Sequence, residues 1–114
     1  MKLAIKGHPT RGDEVIELLE MLGGHQCGYP KEAKTGYWFI DRCSNIVAYN
    51  TLPIHSYGHF TIFTLEEFET KFPYKVGDKV IKDPYIGVRE VCEMKWEDNC
   101  VKYGIGVGEW FTVQ

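Results

Sequence analysis

The residues with most chemical potential stand close together near the start of the chain. Gly7, His8, Thr10, Arg11 and Gly12 lie between an alternating stretch and an amphipathic one. A loop that opens a helix exposes backbone N–H groups with no partner inside the helix. It also sits at the positive end of the helix dipole, so it suits an anion. Gly7 and Gly12 let the backbone approach a ligand closely. Arg11 offers a planar fork that matches two phosphate oxygens, and His8 and Thr10 add further donors. The chemistry implied is phosphate binding. The same atoms also describe an ordinary helix start. Thr10 stands three residues before Asp13, the spacing of a capping box, and Asp13 and Glu14 complement the dipole.

Two triplets of the form H-x-T extend the theme: His8-Pro9-Thr10 and His59-Phe60-Thr61. Two histidines facing each other across a phosphodiester can act as general acid and general base. The paired triplets resemble the signature of the 2H phosphoesterases. That resemblance implies His8 and His59 as the acid–base pair and Thr10 and Thr61 as phosphate clamps, so the enzymatic alternative is a phosphodiesterase. A third set, His25 and Cys27 with His55 and His59, has metal-ligating side chains but matches no structural zinc spacing. No metal and no cofactor are expected.

These residues need elements to hold them. Residues 2–6 alternate polar and apolar, as a strand does. Val15, Leu18, Leu19 and Leu22 fall on one helical stripe, which Gly23-Gly24 ends. Residues 37–41 and 46–49 flank a four-residue turn and read as a hairpin, with a further strand over 59–63. Thr64-Leu65-Glu66-Glu67 is a capping box opening a short helix that stops at Pro73.

From Tyr74 onward the pattern is all β. Cys92, Met94 and Trp96 alternate, as do Val101, Tyr103 and Ile105. Closing the hairpin over residues 97–100 sets Trp96 opposite Val101 and Met94 opposite Tyr103, with both apolar sets on one face. The same register keeps Cys92 from Cys100, and a last strand covers 109–113. The expected fold is α+β: an N-terminal β-α-β-β-β-α portion (1–73) packed with a C-terminal SH3-like antiparallel β tail (74–114) around one shared core.

With 114 residues the chain suits a single domain. A net charge of −3 argues against a nucleic-acid polymer as partner, since polymer binding rests on many contacts to phosphates. A small nucleotide needs only one local basic pocket. No apolar run reaches membrane-spanning length, and no cleavable leader follows Met1-Lys2. Four cysteines without a C-x-x-C pair fit reduced thiols in the cytoplasm. Aromatic residues make up 14%, enough for a thick aromatic core or for surfaces that stack on flat ligands.

Three stretches, IKGHPTRGDEVIELLEMLGG, FTLEEFETKFPYKVGDKV and MKWEDNCVKY, resemble a group of small proteins carried by bacteriophages and mobile elements of gut bacteria. The resemblance covers most of the chain and carries no catalytic assignment. It implies an accessory viral protein of the host cytoplasm. Several such proteins counter host defence, some as sponges that bind a cyclic or oligonucleotide signal without cleaving it. The expectation is therefore a non-enzymatic binding protein that sequesters a small phosphate-bearing nucleotide. Gly7, His8, Thr10, Arg11 and Gly12 would hold the phosphate, and Tyr37, Trp38 or Tyr57 would stack on the base. A homo-oligomer is expected, because sponges tend to place their pockets between subunits. The alternatives are the phosphodiesterase and a module whose β tail grips a host protein.

Overall fold

The computed structural model describes residues 2–25, 32–41, 43–51, 60–83 and 87–113. Strand β1 (Lys2–Lys6) buries its three middle residues. Helix α1 (Gly12–Met21) buries the expected stripe, Val15, Leu18 and Leu19, together with Ile16 and, just past its end, Leu22. It ends where the sequence permits a left-handed residue: Gly23 has φ +102°. The N–H groups of Gly23 and Gly24 donate to the carbonyls of Glu20 and Leu19 at 3.0 and 2.9 Å, the paired bonds of a Schellman motif.

Strands β2 (Tyr37–Asp41) and β3 (Ile46–Asn50) form the expected hairpin, with Asp41 opposite Ile46 and Phe39 opposite Ala48. Strand β4 (Phe60–Phe63) pairs in parallel with the other side of β1, giving a sheet of order β3-β2-β1-β4. Helix α2 (Leu65–Lys71) opens on Thr64, whose hydroxyl accepts from the Glu67 N–H at 3.1 Å, and stops at Phe72. Pro73 has no N–H to continue it.

The tail contains β5 (Lys79–Asp83), β6 (Gly87–Glu90), β7 (Glu93–Glu97), β8 (Cys100–Gly106) and β9 (Glu109–Phe111). They make two antiparallel sheets among the described residues, β5-β6 and β7-β8-β9. Met94 faces Tyr103 and Trp96 faces Val101, the register that the alternation requires. The turn is tighter than expected. Glu97 pairs with Cys100, leaving only Asp98 and Asn99, both left-handed at φ +55° and +59°. Left-handed geometry at both central residues matches the twist of the flanking strands.

One core joins the two portions, with Leu3, Ile5, Val15 and Leu19 in a single cluster with Val80, Met94, Val101 and Tyr103. The protein is thus α+β with a β-rich carboxy-terminal part. Trp96 lies at the margin of this core. It is half-buried, edge-on to Phe63 and Phe72 with ring centroids at 6.2 and 5.8 Å. Among the described residues no helix is long and apolar enough to cross a membrane.

Candidate functional site

The loop from Gly7 to Gly12 is crossed by another stretch of chain. Gly7 N–H donates to the Gly36 carbonyl and His8 N–H to that of Ala33, both at 2.8 Å, while Ala33 N–H returns a bond to Gly12 at 3.0 Å. A Cβ on Gly7 would stand 2.7 Å from the Thr35 backbone, and one on Gly12 2.9 Å from Ala33. The close approach that these glycines allow is occupied by the protein's own backbone.

His8 sits inside the turn. Its Nδ1 accepts the N–H groups of Thr10 and Arg11 at 3.2 and 3.0 Å. Amides only donate, so Nδ1 carries its lone pair and the ring proton resides on Nε2. Nε2 then donates to Glu66 Oε1, on α2, at 2.6 Å. The Glu66 carboxyl lies below its ordinary range, held there by its own backbone N–H and by His8. Both ring nitrogens are engaged. Thr10, expected as the N-cap, is not the cap residue. The helix starts at Gly12 with Arg11 in the cap position and no side-chain cap bond. Pro9-Thr10 instead belong to the turn that the imidazole closes.

Arg11 is engaged as well. Its Nε and Nη2 fork onto Glu14 at 2.7 and 3.0 Å, and Nη2 reaches Glu69 at 2.7 Å. Lys75 Nζ meets the same Glu69 oxygen at 3.1 Å. This network ties α1 to α2 and to the start of the β tail. Arg11 holds the carboxyls of Glu14 and Glu69 below the usual carboxylate range, and they raise the guanidinium in return. A phosphate approaching Arg11 must displace a carboxylate and face Glu14, Glu66 and Glu69.

The structure brings Gly7, His8, Thr10, Arg11 and Gly12 into one turn. Trp38 is buried against Tyr49, with ring centroids 4.8 Å apart, and its Nε1 donates to the Thr35 carbonyl at 2.7 Å. Tyr37 is half-buried, between Lys6 and Asn50 in the sheet. Thr61 pairs with Leu3 from the edge strand β4, while Thr10 lies beyond the end of β1. Tyr57 and His59 lie outside the described residues, as do Cys27 and His55 of the metal-ligating set. Among the described residues no group of three His, Cys, Asp or Glu side chains is placed to hold a metal. Cys43, Cys92 and Cys100 are free thiols.

A different place has the shape of a binding site. A cleft of about 640 Å³ opens between the first sheet, α1 and the tip of the β7–β8 hairpin. Leu3, Leu19, Leu22 and Ile40 line it together with Trp96, and Lys2, Asn45 and Asn99 add polar groups. Lys95, Glu97 and Asp98 also line it, so its volume is that of a small-molecule site while its lining is more polar than apolar. Sequence reasoning missed it, since its residues come from four separated segments. The Asp98-Asn99 turn was the one local signal available. The chain matches no family model, no curated protein and no solved structure.

Proposed function

We propose that this protein is a non-enzymatic binding protein for a small phosphate-bearing nucleotide. The observation that carries the reading is the cleft, where Trp96 and the turn asparagines Asn45 and Asn99 line one cavity with apolar side chains. An aromatic ring can stack on any base, and such stacking contributes about 1–3 kcal/mol per base. The Asn45 and Asn99 side-chain amides can donate to a phosphate. His8 supports binding over hydrolysis. With Nδ1 occupied by two amides and Nε2 by Glu66, it has no nitrogen left for proton transfer. In the setting that the sequence resemblance implies, the protein works in the host cytoplasm as a homo-oligomer and sequesters a cyclic nucleotide signal of antiviral defence.

Native mass spectrometry against a panel of cyclic nucleotides tests this reading. The expected result is a bound nucleotide released unchanged on heat denaturation. Recovery of a cleaved product would replace the binder with a phosphodiesterase.

A second reading, a module that grips a host protein, is favoured by the β5–β6 ribbon. Ile81 and Val88 are cross-strand partners and are 73% and 58% exposed, an apolar pair turned to solvent. If the ribbon is the working surface, Ile81→Lys/Val88→Lys abolishes anti-defence activity in infected cells and leaves nucleotide binding unchanged.

A further inference from the structure

We infer that the open face of the β5–β6 ribbon is the seat of a second copy of this chain, so that the protein pairs through it as a two-fold dimer. The inference is independent of nucleotide binding and names the surface of the homo-oligomer that accompanies that reading. The ribbon has two unlike faces. Val80 and Arg89, partners in the register, turn inward: Val80 belongs to the core, and Arg89 reaches Glu109 at 3.6 Å. Ile81 and Val88 turn outward, both exposed, and are partners of each other. Lys79 and Glu90, two residues along on that same outer face, are also partners and also exposed. These four lie in the regular part of the pairing, ahead of the bulge between Ile81 and Asp83. No ion pair joins Lys79 to Glu90, and neither finds a charged partner among the other described residues.

Such a face is its own complement. A two-fold axis laid along the ribbon, between two copies stacked face to face, places β5 of one over β6 of the other. Positions that are partners within one ribbon then meet across the axis. Ile81 stands over Val88 of the other copy, and Lys79 over its Glu90. Each contact occurs twice, because both surfaces are the same patch. Four apolar side chains leave water together, with an ion pair beside them at each side of the axis. The charges select the occupant. They cancel on the face as a whole, so it has no net sign to draw an acidic or a basic host protein. Their order does the selecting, since each meets its opposite on a surface carrying the same pair at the same height, which a second copy supplies. Tyr49, Val76 and Val107 are exposed as well, but none is the cross-strand partner of another, and apolar residues exposed singly are ordinary.

Sedimentation velocity over a concentration series tests this on the intact protein without nucleotide, with circular dichroism to check that each variant folds. The parent should approach twice the 13.2 kDa of the chain as concentration rises. Ile81→Lys/Val88→Lys should stay at the mass of one chain, since the symmetry sets ammonium against ammonium. Lys79→Glu alone and Glu90→Lys alone should each weaken the dimer roughly tenfold or more, because every substitution is felt twice. Lys79→Glu/Glu90→Lys together should restore the dimer to within about threefold of the parent. A parent with the mass of one chain at every concentration overturns the inference, as does a dimer that survives Ile81→Lys/Val88→Lys. A double swap no tighter than either single swap overturns the two-fold arrangement. A monomeric parent that captures a host protein through Ile81 and Val88 gives the ribbon to the second reading. None of these outcomes touches the nucleotide reading, which stands or falls on bound ligand and not on subunit number.

Discussion

The Gly7–Gly12 loop and the cleft beside the β7–β8 hairpin make an instructive pair. The loop has the residue types of an anion site, yet its groups are committed to the protein itself. Its glycines admit residues 33–36, its histidine closes its own turn, and its arginine holds two carboxylates. The cleft has unremarkable residue types, two asparagines and a tryptophan among apolar and ion-paired side chains, and leaves the two side-chain amides uncommitted among the described residues. Residue types alone do not mark a site, because folding can consume their hydrogen-bonding capacity.

Substitutions can break or sharpen this contrast. The largest effect is expected at the chain crossing. Gly7→Ala puts a methyl group 2.7 Å from the Thr35 backbone and must move one of the two strands of chain. It should lower stability by about 2–3 kcal/mol in urea titration, the scale of overpacking a tight contact. An unchanged midpoint would mean the crossing is looser than the geometry here.

His8 comes next. His8→Ala removes the acceptor of two amides and should cost about 1 kcal/mol, whether or not ligand is present. His8→Asn should recover part of the loss, because an asparagine side chain can accept from the amides of its own turn. A histidine kept for catalysis alone would change turnover and leave stability untouched.

The Arg11 network should show itself in acid. Glu14 and Glu69 have depressed folded-state pKa values. Their contribution is therefore present above the unfolded carboxylate value of about 4.3, and it is lost as pH falls through the depressed values. Arg11→Met should be less stable than the parent at neutral pH, and the gap should close as pH falls through the depressed carboxyl values. A gap of constant size across that range would show that packing of the arginine stem, not charge, accounts for the loss.

The smallest effect on stability belongs to the cleft. Asn99→Gly should leave the melting midpoint within about 0.5 kcal/mol of the parent, since glycine accepts the same left-handed geometry. Its consequence should appear only in ligand titration. A clear destabilisation would place the Asn99 amide in the folding network and return it to the same class as His8.

The legible parts of the molecule were those set by short-range rules. The stripe of α1, its glycine stop, the Thr64 cap and the β7–β8 register all follow from spacings of a few residues, and all hold. The illegible parts join distant segments. Arg11 meets Glu69 only because α2 returns beside α1, and the parallel pairing of β4 with β1 has no local signal. Thr10 looked like a cap because its type and spacing fit. The imidazole two residues earlier holds the turn instead, and only the backbone path after Pro9 decides between them. The cleft was invisible because it exists only where the β7–β8 tip meets residues from β1, α1 and the β2–β3 hairpin.

The parallel pairing of β1 with β4 has a temporal meaning. The β7–β8 hairpin joins neighbours in sequence through a two-residue turn, and such hairpins close in about 1–10 μs. Lys2, by contrast, must find Phe60, and Ile5 must find Phe63. Contacts so far apart form late, because loop-closure entropy opposes them until the rest of the fold rewards them. On the ribosome β1 emerges with one flank bare and waits until residues 60–63 have been made. Until β4 arrives, that flank is an open edge able to pair with another copy. Lys2 and Lys6, exposed at the two ends of β1, put charge where such pairing would begin.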